Sequence, residues 1–372
     1  MVTPILPRYM ILVILSVILV NQVCYAQGLS EPYSTMFRSN AGGTCEYDTE
    51  CLEAFNGIIR KHTLINHITD APIIIDNILY CSTTDTKGKL IAINIGSGER
   101  IWEFLAEGYM ETIPSYYDNI VFCGSSDHFI YALDANSGQL KWKFDMGIGP
   151  QTRSAIVIND GMIYITSLGN KLYCIDAKLG KMVWVHNIRS EITTSPVIIN
   201  GKDIAFGDWD GVLYCINGIT GEELWKVACE DMILDVLAIE NTVYTGDFSG
   251  NIYAINGASK ETIWQNGSFE EPDYFAASEN ILYLHDKGKL KAINSKNGDS
   301  IWSADSKISV YPAISDKIIY YSAFPNLMVA ADKYTGNTIW QYEFDGRPLS
   351  PIVNNGMLYF GTQYKNAVYA IE

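Results

Sequence analysis

Apolar runs alternate with Asp-Gly, Asn-Gly and Ser-Gly turns along most of the chain. That pattern predicts strand hairpins, because Gly supplies the positive φ that a tight reversal requires. Two registers repeat within it. Trp stands at 102, 142, 184, 225, 264, 302 and 340, at spacings of 38 to 42 residues, and a Gly lies four residues ahead of it in every copy except the one with Lys260. An aromatic closes a short apolar strand at Tyr80, Phe122, Tyr164, Phe206, Tyr244, Tyr283, Tyr320 and Tyr359, eight times against seven. A period of this length holds a meander of four strands with ordinary connections. So small a sheet cannot bury both faces alone, and the periods are expected to stack radially as propeller blades with the periodic Trp between neighbours.

The count of eight against seven predicts how the ring closes. The last period, 350–372, carries three strands and ends before a Gly-to-Trp strand. Ahead of the first period, Asn56-Gly57-Ile58-Ile59-Arg60-Lys61-His62-Thr63-Leu64 repeats the turn and strand, with Lys61 where Trp would fall. The expected fold class is all-β: one eight-bladed β-propeller of four-stranded antiparallel blades over 58–372, its ring closed by the N-terminal strand. Residues 27–57 form an extension before it. Closure of this kind removes an exposed sheet edge.

The phrase Gly211-Val212-Leu213-Tyr214-Cys215-Ile216-Asn217-Gly218-Ile219-Thr220-Gly221-Glu222-Glu223-Leu224-Trp225 resembles the repeat of the pyrroloquinoline-quinone-like (PQQ-like) β-propeller proteins. Met36-Phe37-Arg38-Ser39-Asn40 is similar to their opening phrase, and the resemblance covers about residues 34–372. In size and repeat the chain is similar to the propeller subunit of the outer-membrane β-barrel assembly machine. One branch of the resemblance implies a quinone enzyme with long inserted loops, an adjacent-cysteine disulfide, acidic and amide calcium ligands and a catalytic Asp. Here the short period leaves no room for such loops, no two cysteines are adjacent, and no Asp is assigned to the catalytic position. The favoured reading is a non-catalytic binding or scaffold propeller without catalytic residues, metal or cofactor. PQQ and calcium enter only under the alternative of a quinone-dependent alcohol or sugar dehydrogenase. A second alternative is a propeller that binds a glycan or small ligand.

Composition changes the picture at the N-terminus. Arg8 is followed by an apolar run from Met10 to Val20 and then a polar stretch ending at Ala26. The run is shorter than the roughly 20 residues a membrane span needs, so residues 1–26 read as a signal peptide cleaved after Ala26. Asn21-Gln22-Val23 ahead of Cys24 lack the small residue that a lipidated cysteine follows. Export to the periplasm, cell surface or exterior is expected, with no transmembrane span in the mature chain and a monomeric state. Asp and Glu exceed Lys and Arg by 42 to 26, so the overall field opposes phosphate and nucleic acid is not an expected partner. Envelope proteins or a surface glycan are.

Candidate chemistry is sparse. Cys45 and Cys51 flank a short polar loop and are a candidate disulfide in an oxidising compartment. Cys81, Cys123, Cys174 and Cys215 recur at matching blade positions and read as small core residues, while Cys229 is left unassigned. Acidic turns such as Gly207-Asp208-Trp209-Asp210-Gly211 read as turn braces, since no calcium loop with a distal Glu occurs. Trp209 is the one Trp off the register. Flanked by Asp208 and Asp210, it either anchors a partner or packs on the adjacent blade. Counting back from the aromatic register places Asp70, Thr112, Arg153, Thr194, Leu234, Asp273, Val310 and Leu349 at one mouth of the channel. These groups either form a polar ligand site or hydrogen-bond among themselves and to channel water.

Overall fold

The computed structural model describes residues 44–47, 51–52, 54–63, 68, 70–84, 87–110, 112–147, 154–167, 169–307 and 310–372. The expected signal peptide, with Cys24, and Arg153 lie outside them. Blades 1 to 7 span 73–105, 115–145, 157–187, 197–228, 233–266, 272–305 and 313–343, each a four-stranded antiparallel sheet in chain order. In the eighth, Arg347–Pro348 and Ile352–Asn354 both pair with Met357–Gln363, followed by Ala367–Ile371 and then Ile58–Thr63 from the other end of the chain. First strands of successive blades touch, Val197–Ile199 against Ile233–Ile239 and Pro272–Ser278 against Ala313–Ile314 among them. They line the axis, and the fourth strands, with alternating exposed residues, face outward.

The two aromatic registers meet in one repeated joint. Each Trp lies opposite a small residue of the third strand, such as Ala92, Cys174 or Cys215. Its indole meets the second-strand aromatic of its own blade in six of the seven copies, from Tyr80–Trp102 at 5.8 Å and 44° to Tyr320–Trp340 at 6.1 Å and 46°. Blade 4 differs: Phe206 stacks on Tyr214 instead, with ring centroids 5.3 Å apart. Every register Trp donates Nε1–H to a backbone carbonyl beyond its own blade: Trp102 to Ala135, Trp142 to Ala177, Trp184 to Gly218, Trp225 to Gly257, Trp264 to Ser295, Trp302 to Lys333 and Trp340 to Leu52, at 2.8 to 3.2 Å. The joint therefore joins ring burial to a satisfied polar handle.

The conserved spacing of Gly before Trp serves the preceding blade. Gly138 has φ +70°, and a Cβ there would stand 2.6 Å from the Trp102 ring. Gly180, Gly221, Gly298 and Gly336 repeat the contact on Trp142, Trp184, Trp264 and Trp302. Lys260, the exception in the sequence, adopts the same left-handed backbone at φ +57°. The turn is closed by an Asx residue: the Asp134 carboxylate accepts from the amides of Asn136 and Ser137, as Asn217 does from Ile219 and Thr220.

Ring closure follows the expected strand with a shift of one residue. Ala370, the counterpart of Ala92, lies opposite Arg60, not Lys61: the bulge between Ile58 and Arg60 is the one found at every register Trp, and the closing strand reaches its Trp position three residues after Gly57 where the blades take four. Arg60 takes the place of Trp and donates from its guanidinium to the Ile95 carbonyl of blade 1. Lys61 instead faces Tyr369, with its ammonium 5.3 Å from that ring and an ion pair to Asp345 at 3.2 Å. The extension runs across blades 6 and 7, where Thr44 and Cys45 carbonyls accept from Ala277 and Ile314 and the Tyr47 amide donates to Ile314. Leu52 then supplies the carbonyl for both Trp340 and Tyr320.

Candidate functional site

One face of the ring gathers the turns between second and third strands and the connections between blades. In blade 4 that turn is Asp208–Gly211. Asp208 is fully buried, and its carboxylate accepts from the Val212 amide at 2.8 Å and the Tyr214 hydroxyl at 3.1 Å. Burial pushes its carboxyl above the usual range. Asp247 braces blade 5 in the same manner through Asn251 and Tyr253. Asp208 thus acts from beneath as the brace of the turn and is not itself accessible to a partner.

Trp209 and Asp210 project above that brace, with Trp209 58% exposed. The Trp209 amide donates to the Glu191 carbonyl at 2.9 Å, which ties the turn to the connection from blade 3. Gly211, at φ +77°, lies so close to Asp231 that a Cβ would stand 2.6 Å from its carbonyl oxygen. The turn is wedged between two connections, so the indole sits on a rigid support. Asn170, Arg189, Ser190, Glu191, Trp209 and Asp210 line an open groove of about 470 Å³ beside it. Exposed aromatics that the sequence reading did not select occupy the corresponding turns of three other blades: Phe248, Phe324 and Tyr364.

The predicted channel mouth separates into two groups. Thr112 and Thr194 are buried braces whose hydroxyls accept from the amides of Gly124 and Gly207. Val310 and Leu349 belong to the core, and Leu234 is half-buried. Asp70 and Asp273 remain half-buried toward the axis. Asp70 accepts from the Ser350 amide at 3.2 Å, and burial raises its carboxyl. Burial, helped by the charges of Asp235, Glu271 and Asp286, pushes Asp273 up to about 8. Asp235, missed in the sequence, links three blades: its carboxylate accepts from the amides of Val236 and Phe275 and from the Tyr311 hydroxyl.

These residues do not fit a quinone held with calcium. Among the described residues no group of three His, Cys, Asp or Glu side chains could hold a metal ion. Cys81, Cys123, Cys174 and Cys215 are fully buried within blades, and burial pushes each thiol up to about 12. Cys45 packs with the core of blades 6 and 7, whereas Cys51 packs against a different cluster. No helix among the described residues is long and apolar enough to cross a membrane.

Comparison with known proteins decides the family. The profile described as outer membrane protein assembly factor BamB matches residues 65–266 and 286–372. The chain belongs to the BamB family. BamB from Moraxella catarrhalis superposes with a TM-score of 0.71 at 13% identity, covering 85% of this chain and 99% of that one. Quinohemoprotein alcohol dehydrogenase from Comamonas testosteroni gives a TM-score of 0.77 at 11% identity, covering 94% and 82%. The computationally designed protein Ika8 gives 0.74 at 17%, covering 83% and 97%. At these identities the likeness shows the fold alone. A search of curated protein sequences gives no match.

Proposed function

We infer that this BamB-family propeller is a non-catalytic binding or scaffold protein of the cell envelope that docks a protein partner across the groove at Trp209. The observation that carries the reading is an exposed indole on a braced turn, beside a groove bearing Arg189, Glu191 and Asp210. A large ring held in place loses little conformational freedom on binding, and the surrounding charges select among partners. Export is supported by Arg8 and the apolar run to Val20. That no metal-ligand cluster occurs among the described residues favours this reading over the dehydrogenase alternative, although dehydrogenases share the fold.

A photo-crosslinking residue at 209 tests the docking face, with one at Ile219, exposed at the other end of the same third strand, as control. A specific envelope-protein adduct is expected from 209 only. Binding of that purified partner should weaken at least tenfold in Trp209→Ala. Equal adducts from both positions, or unchanged affinity, overturn the docking site. Substrate-dependent dye reduction after addition of PQQ and calcium overturns the non-catalytic reading.

A further inference from the structure

We propose that the axial cluster of Asp70, Asp273, Tyr274, Tyr311 and Arg347 binds a neutral polyhydroxyl ligand of the saccharide class. The site is distinct from the groove at Trp209. It begins with a distortion in the first strand of blade 6. The pairing register shifts between Asp273 and Ala276, and Tyr274 adopts φ +52°, a conformation that a bulky residue holds only when its surroundings impose it. The Tyr274 ring stands 4.9 Å from Tyr311 at 62°, and it feels the charges of Asp273, Asp70, Asp235 and Arg347. Side chains from blade 6, the approach to blade 7, blade 8 and the approach to blade 1 therefore converge there. All five lining residues remain half-buried, so solvent reaches them.

Behind this lining stand polar groups without partners. His285 is fully buried, lies opposite Asp273 across the strand pair and meets Tyr274 edge-on at 6.1 Å. Neither of its ring nitrogens has a hydrogen bond; the Val310 backbone lies near enough to act on the imidazole without completing one. Arg347 Nε is likewise buried without a partner, and the Ser350 hydroxyl has only the Asp70 carboxyl to act on. Such groups are costly to leave unpaired. They mark the wall as built for polar contact.

The protonation states select the ligand. At neutral pH burial keeps His285 uncharged, its pKa lowered to about 4, so the ring offers one donor and one acceptor. Asp273 holds its proton and offers the same pair. A hydroxyl both donates and accepts, and so matches the half-buried Asp273, with the uncharged His285 behind it. A cation would meet Arg347 and find the Asp235 carboxylate already accepting three hydrogen bonds. An anion would meet Asp70 and Asp235. The edge-on pair of Tyr274 and Tyr311 supplies aromatic surface for the C–H face of a sugar ring, in the usual combination of an apolar wall with a few convergent polar groups.

Calorimetry on the mature chain with a panel of neutral mono- and disaccharides tests the proposal, with putrescine and succinate as cationic and anionic controls. Saturable binding of at least one saccharide is expected at pH 7, with weaker or no binding of either control. Wild-type affinity should fall about tenfold from pH 7 to pH 9 as Asp273 ionises against Asp235, Glu271 and the Lys291-paired Asp286, beside a Tyr274 that also feels Asp70 and the opposing charge of Arg347. Asp273→Asn should keep its affinity at pH 9, and Tyr274→Ala, checked as folded by circular dichroism, should abolish binding. Trp209→Ala should leave it unchanged. Failure of every saccharide to bind, preference for either control, or binding that survives both Tyr274→Ala and Tyr311→Ala overturns the proposal.

Discussion

The Arg60 guanidinium donates to the Ile95 carbonyl, the counterpart in blade 1 of the carbonyls that receive six of the seven register Trp side chains, Trp340 bonding Leu52 instead. The eighth joint thus keeps the hydrogen bond and replaces the ring. A charged donor strengthens the bond at a half-buried joint, and the surrounding strand supplies the packing. Arg60→Ala should lower stability by about 1–3 kcal/mol, measured by urea unfolding. A chain starting at residue 65 should lose far more, because it also exposes the edge of Ala367–Ile371 and removes Leu52, the acceptor for Trp340 and Tyr320. Concentration-dependent aggregation of that truncated chain, absent in the full mature chain, is the expected readout.

Trp225 and Trp209 should respond in opposite ways to truncation. Trp225 is buried and bonded to Gly257 at 2.8 Å, so Trp225→Ala should cost about 3–5 kcal/mol. Trp209→Ala removes an exposed ring whose turn is held by Asp208 and by the backbone, and its effect should stay within about 0.5 kcal/mol. Comparable losses in thermal unfolding would place Trp209 in the core.

Gly138 and Lys260 form a reciprocal pair of tests. Gly138→Ala sets a Cβ against the Trp102 ring in a left-handed turn and should destabilise by about 1–3 kcal/mol. Lys260→Gly relieves the same backbone conformation at the one copy without glycine and should stabilise by about 0.5 kcal/mol. A higher melting temperature for Lys260→Gly, with an unchanged circular dichroism spectrum, is the outcome to look for.

The periodic elements were legible in the sequence because each blade repeats one joint. Trp, its glycine seat and the second-strand aromatic recur at nearly fixed spacing, and from them the eight blades, the closing strand and the small-residue positions of Cys174 and Cys215 could be read. Fixed spacing also set the limit. The closing strand places its Trp equivalent three residues after Gly57 and not four, so Arg60 fills the joint in place of Lys61. Bulges at Ile233/Asp235 and Asp273/Ala276 changed which side chains reach the axis. Counting back therefore selected Asp70 and Asp273 together with the buried Thr112 and Thr194, and passed over Asp235, Tyr274, His285 and Arg347. Trp209 stood out by breaking the Trp register, whereas Phe248, Phe324 and Tyr364 break no register and are visible only once their turns share a face.

The axial carboxyl group gives stability a pH dependence of known sign. Asp273 has a folded pKa near 8, well above its value in the unfolded chain. Between those two values the folded state binds the additional proton, so this group's contribution to stability declines as pH rises from about 4 to about 8 and then levels off. Asp70, raised by burial, acts in the same direction. His285 acts oppositely on the acid side: its folded pKa is lowered to about 4, so acidification from about 6.5 downward favours the unfolded chain. Asp286, lowered despite burial by Lys291 and by two backbone amides, also withdraws stability on acidification. Replacing Asp273 with Asn removes this group's decline between about pH 4 and pH 8 and leaves the contribution of Asp70 in place. The stability difference between Asp273→Asn and wild type, followed by urea unfolding from pH 5 to 9, should grow in favour of the variant up to about pH 8 and stay level beyond it. A difference independent of pH would mean that Asp273 titrates as an ordinary exposed carboxylate.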